Sequence, residues 1–305
     1  MISVACLVSY TSGKLLAPPG VPEENIKQGA EQAGQADGKM REGDMRVDEE
    51  SSEESDRNAI RDERRKWPKD NQGFVIVPYI FENLANAAQQ KVKQAAADFG
   101  RWTCIKFVPR TNQKNYLVMH HAQGCWSYVG VLNRGPQKLS LGNGCYGDVG
   151  TPTHEMMHAL GFEHEQNRED RDQYITIKYE NIQDGYAYAF DLCGKDQCKL
   201  PTKPYDFKSV MHYETWAFSK NGEDTMVPKP KYKPGQRRGL SKLDIDKLNE
   251  LYECGKKTVT SNEGYTFPAE NKVDTRSDCN AYKTYCNSDK YRAWMEENCS
   301  KTCGY

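Results

Sequence analysis

The chain has 305 residues, enough for one sizeable core and smaller attached parts. Its 42 basic and 43 acidic residues leave a net charge of −1, which gives no electrostatic case for a nucleic-acid or anionic-membrane partner. No apolar run reaches the length of a membrane-spanning helix, and eleven cysteines are many for a reducing compartment, so a secreted, extracellular protein is expected.

The first residues, Met1-Ile2-Ser3-Val4-Ala5-Cys6-Leu7-Val8, are apolar but lack a positive leading region. They read as a short or incomplete signal peptide within residues 1–17. Residues 18–57 are polar, acidic and rich in Glu, Gly and Gln. Such a stretch cannot bury a core and is predicted to be mostly irregular. Beyond it the pattern becomes that of an α+β domain. Residues 74–79 read as a buried strand, and residues 83–99 as a helix with Leu84, Ala88, Val92, Ala95 and Phe99 on one face. Residues 105–108 and 116–119 read as further strands, with His120 and His121 as ordinary strand-end residues.

The next helix carries the most informative spacing in the chain, His154-Glu155-x-x-His158-x-x-Gly161-x-x-His164. Histidines four apart lie on one helical face, so both rings can reach one ion. Zinc accepts neutral imidazole and keeps one position open in catalytic sites. Glu155 is placed to take a proton from water rather than to bind metal. Gly161 allows a left-handed helix end, after which the chain can turn and return His164 as a third ligand. Thr151 is expected to cap this helix, with Pro152 at its first position. The extended pattern, with a methionine turn following, is that of the metzincins, and Ser209-Val210-Met211-His212-Tyr213 is a candidate for that turn. His212 reads as a buried turn residue. Leu240, Leu243, Leu248 and Leu251 mark a late amphipathic helix with Ser241 as N-cap and Asp244 three residues on.

Several stretches resemble the astacin family in particular. Glu165 directly follows the third histidine, and Tyr213 follows Met211 by two. Trp67-Pro68, Val77-Pro78-Tyr79, Thr103-Cys104-Ile105-Lys106-Phe107 and Gly124-Cys125-Trp126-Ser127-Tyr128-Val129-Gly130 are further similarities. The resemblance covers residues 58–254. It implies a two-lobed metzincin protease domain, with a twisted sheet above a long cleft and the zinc helix at its floor. It implies one catalytic Zn2+ held by His154, His158 and His164, with Glu155 as general base and then proton donor. Tyr213 would be a swinging residue, a distant metal ligand at rest and an oxyanion donor during turnover. Met211 would form an apolar floor beneath the metal. Glu165 would lie near the N-terminus of the mature enzyme. An extended peptide or protein substrate would add antiparallel to an edge strand. Family members often prefer acidic residues just after the scissile bond, but no residue can be assigned to that preference from the sequence.

Within residues 18–57, Arg41-Glu42-Gly43-Asp44-Met45 resembles the F-x-G-D motif of astacin propeptides, whose aspartate binds the catalytic zinc. Asp44 would be that ligand in the zymogen, and Arg41 replaces the apolar anchor. Activation is expected after Arg57, by a trypsin-like protease, leaving Asn58 as the new N-terminus. The resemblance also implies bridges Cys104–Cys254 and Cys125–Cys145. Without Cys6 of the leader, ten cysteines remain. Cys193 and Cys198 are close enough in sequence for a local bridge, a second metal site being the alternative. After a polar linker at 255–271, residues 272–305 resemble an ShK toxin-like module. Lys272 stands at its first cysteine position and no sixth cysteine follows Cys303. These two positions form one pair in that module, leaving Cys279–Cys299 and Cys286–Cys303 as the expected bridges. So small a module needs such staples.

Overall fold

The computed structural model describes residues 40–46, 63–193 and 202–255, together with residues 279, 283 and 302. The chain divides into two compact units, Met1–Gly255 and Lys256–Tyr305. The first unit carries the fold.

Its strands and helices alternate as the apolar pattern predicts. Strand β3 (Val75–Glu82) leads to helix α1 (Asn86–Trp102), then to β4 (Ile105–Pro109) and β5 (Tyr116–His120). The α1 face bearing Ala88, Val92, Ala95 and Phe99 is buried against the sheet. Each large side chain removed from water in this way contributes roughly 1.5–3 kcal/mol. Strands β6 (Cys125–Tyr128) and β7 (Pro136–Leu141) follow, and then helix α2 (Gly150–Ala159). Strands β3, β4, β5 and β7 run parallel, and β6 pairs antiparallel to β7.

Of the acidic segment ahead of this domain, expected to be mostly irregular, only residues 40–46 are among the described residues. Residues 40–46 form a hairpin, β1 (Met40–Arg41) and β2 (Met45–Arg46), and β2 lies parallel to β6. The sheet therefore has seven strands, in the order β1-β2-β6-β7-β5-β3-β4. The hairpin turn needs its glycine: Gly43 has φ +90°, and a Cβ there would lie 2.7 Å from the Phe218 ring. Met45 is fully buried with Val129, which gives the hairpin an apolar hold despite its polar surroundings.

Beyond α2 regular structure is sparse. Short 3-10 segments and a two-stranded ladder, β8 (Ile175–Ile177) with β9 (Met226–Pro228), enclose a second core. That core contains Ile175, Ile182, Phe190, Tyr205, Tyr213 and Met226. The chain then returns to the first core through helix α3 (Lys242–Leu251), which buries Leu248 there. Ser241 caps α3, accepting from the Asp244 amide at 2.9 Å, and Asp244 Oδ2 accepts in return from the Ser241 amide at 2.9 Å. The Cys104–Cys254 disulfide closes the domain, and Cys125–Cys145 staples the β6–β7 region. A bridge spanning 150 residues contributes roughly 5 kcal/mol in the chain-entropy picture. Cys193 and Cys279 are also disulfide-bonded. Cys198, Cys286, Cys299 and Cys303 lie outside the described residues. Among the described residues no helix is long and apolar enough to cross a membrane.

Candidate metal centre

Helix α2 starts two residues earlier than its sequence suggests, with Val149 at the capping position. The Asp148 carboxylate accepts from the Thr151 amide at 2.8 Å, so Asp148 does the capping expected of Thr151. Pro152 sits in the first turn, where amides lack intrahelical partners in any case. At the other end Gly161 has φ +98°. The Gly161 amide donates to the His158 carbonyl and the Phe162 amide to the Met157 carbonyl, at 2.8 and 3.1 Å. This paired closure is a Schellman turn, which satisfies the last carbonyls and redirects the chain. It brings the Phe162 carbonyl onto His158 Nδ1 at 2.7 Å and returns His164 to the first two histidines.

The three rings converge through their Nε2 atoms. His154 Nε2 lies 3.1 Å from His158 Nε2 and 3.3 Å from His164 Nε2. Two ligands at about 2.0–2.1 Å from a tetrahedral zinc are themselves about 3.3 Å apart, so the spacing suits that ion. Each Nδ1 is engaged on its outer side: His154 with the Val210 carbonyl at 2.8 Å, His158 with Phe162, and His164 with Glu42 Oε2 at 2.6 Å. An Nδ1–H held this way leaves Nε2 as the free lone pair, the arrangement metal-binding histidines need. The Asp44 carboxylate completes the group. Its Oδ2 lies 3.1 Å from His154 Nε2 and 3.2 Å from His164 Nε2, and its Oδ1 lies 3.6 Å from His158 Nε2. All four ligand atoms fall within 4.8 Å of one another.

Electrostatics point the same way. Burial pushes the His154 pKa down to about 3, so its ring is neutral. Burial also works against a charged His164, yet Asp44 and Glu42 carry its pKa up to about 9. The two carboxylates beside His164 thus favour positive charge at this position, which a bound metal ion would supply. Glu155 is buried with Oε2 unpaired by any hydrogen bond, and burial together with Asp44 raises its pKa well above the usual carboxylate range. The donor set fits zinc in both geometry and chemistry.

Tyr213 packs its ring 4.4 Å from that of His164, and its hydroxyl donates to the Glu42 carbonyl, not to the metal position. Burial raises its pKa well above the ordinary phenol value, so the hydroxyl keeps its proton. Met211 is buried, and its carbonyl accepts from the Glu165 amide at 3.1 Å. The Glu165 carboxylate is held by Lys247 Nζ at 2.6 Å and Arg168 Nη1 at 3.1 Å. Arg57 and Asn58 lie outside the described residues. The apolar anchor absent at Arg41 is replaced by charge, since Arg41 forms an ion pair with the largely buried Glu163. His120 and His212 are buried structural residues: His120 meets the edge of Trp126 at 5.5 Å, and His212 accepts from Tyr205 at 2.8 Å.

Four residues near the site carry no sequence signal strong enough to single them out. Glu42 stands between Arg41 and Gly43 with nothing to mark it as a partner of His164. Lys247 reads as a solvated helical residue among leucines, and Gln166, which accepts from the Tyr213 amide at 3.1 Å, is marked only by following Glu165, with nothing to give it a role. Arg237 donates to the His212 carbonyl at 3.1 Å, and its charge bears on Glu155, His154 and Tyr213.

The family model of Astacin, a peptidase family, matches residues 59–253, and that of the ShK domain-like group matches residues 272–305. Embryonic protein UVS.2 of Xenopus laevis is 45% identical over 202 residues, covering 65% of this chain and 38% of that protein. Zinc metalloproteinase nas-4 of Caenorhabditis elegans is 39% identical over 203 residues, covering 65% of this chain and 62% of that protein. The chain thus spans less than two thirds of the length of these relatives. The solved structure of High choriolytic enzyme 1 (HCE-1), a hatching enzyme zinc-protease from Oryzias latipes, matches at TM-score 0.59 and 37% identity, over 63% of this chain and 96% of that one.

Proposed function

Because the chain belongs to the astacin family of peptidases, we propose that it is a secreted zinc endopeptidase, made as a zymogen, that cleaves extended extracellular proteins. The observation that carries this reading is the convergence of three Nε2 lone pairs beside a buried glutamate with an unpaired oxygen. When bound, zinc supplies a Lewis acid that polarises the scissile carbonyl and acidifies water. His154, His158 and His164 hold it. Glu155 takes the proton from the attacking water and delivers it to the leaving nitrogen. Its burial raises its proton affinity, as a base and then acid in one cycle requires. The Tyr213 hydroxyl, once released from Glu42, donates to the developing oxyanion.

Residues 18–57 form the propeptide in this reading, following a leader at 1–17, and three contacts support latency. The Asp44 carboxylate lies where the open ligand position would be. The Glu42 carbonyl holds Tyr213. Strand β2 covers the β6 edge that an extended substrate would use, and a chain lying parallel there is reversed relative to the antiparallel one expected. A trypsin-like cut after Arg57 would free Asn58, whose amine would approach Glu165, now held by Lys247 and Arg168. Residues 272–305 would form an ShK-like appendage stapled by Cys279–Cys299 and Cys286–Cys303, beyond a linker at 255–271.

The test is hydrolysis of a fluorogenic peptide library by the full chain before and after trypsin treatment. Activity should appear on cutting and vanish with chelator. Asp44→Ala should raise the activity of the uncut chain, and unchanged latency in that variant would remove Asp44 from its role. A cut chain that binds zinc but cleaves nothing would make this a binding protein on a protease fold.

A further inference from the structure

We propose that Asp244, on helix α3, is a positioning residue for the metal centre: it fixes the peptide that orients zinc ligand His154. The inference rests on the zinc reading above, and its basis is a chain of short contacts through the methionine turn. Asp244 Oδ2 accepts from the Val210 amide at 2.9 Å, and the carbonyl of that same Val210 receives His154 Nδ1 at 2.8 Å. Asp244 Oδ1 accepts from Ser209 Oγ at 2.6 Å, and Ser209 Oγ accepts from the Met211 amide at 3.0 Å. The Met211 carbonyl in turn receives the amide of Glu165, the residue after His164, at 3.1 Å. One carboxylate therefore holds two successive turn amides, directly and through Ser209. The carbonyls of those two residues set the ring of His154 and the backbone beside His164.

The capping box of α3 accounts for only part of what Asp244 does. A capping box asks its third residue for one backward bond to the N-cap amide. Asp244 makes that bond, to Ser241, and spends its remaining acceptor capacity on residues 209 and 210, more than thirty positions earlier. It receives three donors at its carboxylate and offers none. The ionised form accepts all three with no O–H of its own to compete with them. Burial pushes its pKa up and Asp206 adds to this, while Lys247 and the hydrogen bonds pull it back, leaving about 6, so it is ionised at neutral pH. Ligand affinity depends on such outer contacts because they fix the ring orientation and tautomer before the ion arrives.

The structure offers an internal control. Ser241 belongs to the same capping box but does not touch the turn: its hydroxyl accepts from the Asp244 amide and donates to Asp206. Ser241→Ala therefore weakens α3 without removing the Asp244 contacts to 209 and 210. The experiment is equilibrium competition for zinc between the uncut full chain and a chromophoric chelator, with thermal melting of the metal-free chains alongside. Asp244→Asn keeps the shape but replaces one acceptor oxygen with a donor, and should weaken zinc binding about 10-fold, the lower end for outer-shell changes. Ser209→Ala, a smaller perturbation that serves if Asp244→Asn fails to fold, should weaken zinc binding in the same direction. Ser241→Ala should lower the melting temperature and leave zinc affinity at the wild-type value. Wild-type affinity in both Asp244→Asn and Ser209→Ala would overturn the proposal. So would an equal loss in Ser241→Ala, which would reduce Asp244 to an ordinary helix cap. A wild-type chain that takes up no zinc would instead overturn the metal site itself.

Discussion

The two sides of the metal centre are made in different ways. On one side, His154, Glu155 and His158 lie within five residues of a single helix, and the Schellman turn at Gly161 delivers His164 six residues later. The period of the helix does the positioning. On the other side, the contributing residues come from three distant stretches: 165–171, 205–213 and 241–252. Regular structure is scarce there, and buried side chains hold the parts together. Lys247 reaches Glu165, Gln166 receives the Tyr213 amide, Asp244 grips the turn, and the Tyr252 hydroxyl donates to the Leu160 carbonyl at the end of α2 at 3.0 Å. A ligand set built on helical period tolerates change around it. One built on single polar contacts fails when one partner is lost, because a buried group left alone carries its whole desolvation cost.

The sharpest test of the helical side is Glu155→Ala. The helix and its histidines do not depend on that carboxylate, which makes no hydrogen bond through Oε2. Zinc content and melting temperature of the variant should match the wild type, while kcat falls by about 100-fold to 10,000-fold, the range of general base catalysis. A rate that survives would separate the chemistry from this helix altogether. On the other side the corresponding test is Lys247→Met. It deprives the buried Glu165 of one cation and leaves it, among the described residues, with Arg168. Breaking a buried pair costs about 3 kcal/mol at the lower end, where the remaining partner should place it. For a domain of this size that lowers the melting temperature by roughly 6–12 °C. An unmoved midpoint would mean Arg168 suffices, and the two sides would be less different than they look.

The same contrast explains what is legible in the sequence. Period-based features are: the buried face of α1, strands β3 to β5, the zinc motif, and the Ser241–Asp244 cap all follow from local spacing. Where two local signals compete, the sequence misleads. Thr151 before Pro152 has the pattern of a cap, but Asp148 three residues earlier reaches the Thr151 amide with a better acceptor. The hairpin at 40–46 is hidden because its stabilisation is not local. Met45 is buried beside Val129, and Arg46 lies 4.7 Å over the Trp126 ring, some eighty residues on. Lys247 and Gln166 are invisible for the same reason, since nothing in a polar residue's immediate neighbours reveals a buried partner far along the chain. Tyr213 is legible as a site residue through its spacing from Met211. Its attachment to the Glu42 carbonyl is not, because that bond joins residues 171 positions apart.

Tyr213→Phe tests whether that tyrosine belongs to the chemistry or only to the second core. It packs with Phe218 as well as His164, so the ring should stay in place when the hydroxyl is removed. Loss of one oxyanion donor costs about 100-fold in kcat at the lower end. KM should change little, because the hydroxyl acts on charge that develops after substrate binding. A matched rise in KM instead would assign Tyr213 to substrate binding.

Ser241→Ala should have the smallest effect, and it discriminates most finely between the two sides. Its hydroxyl accepts from the Asp244 amide at 2.9 Å and donates to Asp206 Oδ2, and neither contact reaches the histidines. Removing a serine N-cap costs about 1 kcal/mol, which for a domain of this size is a fall of roughly 2–4 °C in melting temperature. If the polar side of the site were one cooperative network, that loss would spread through Asp244 to Val210 and reach His154, and kcat would fall with stability. If each contact acts singly, the helix start loosens while Asp244 keeps its hold on the turn, and kcat stays at the wild-type value. The wild-type rate is the expected outcome. Ser241→Ala removes only the hydroxyl that accepts from the Asp244 amide; the Asp244 carboxylate keeps all three of its donors, the backbone amide of residue 241, the Ser209 hydroxyl and the Val210 amide.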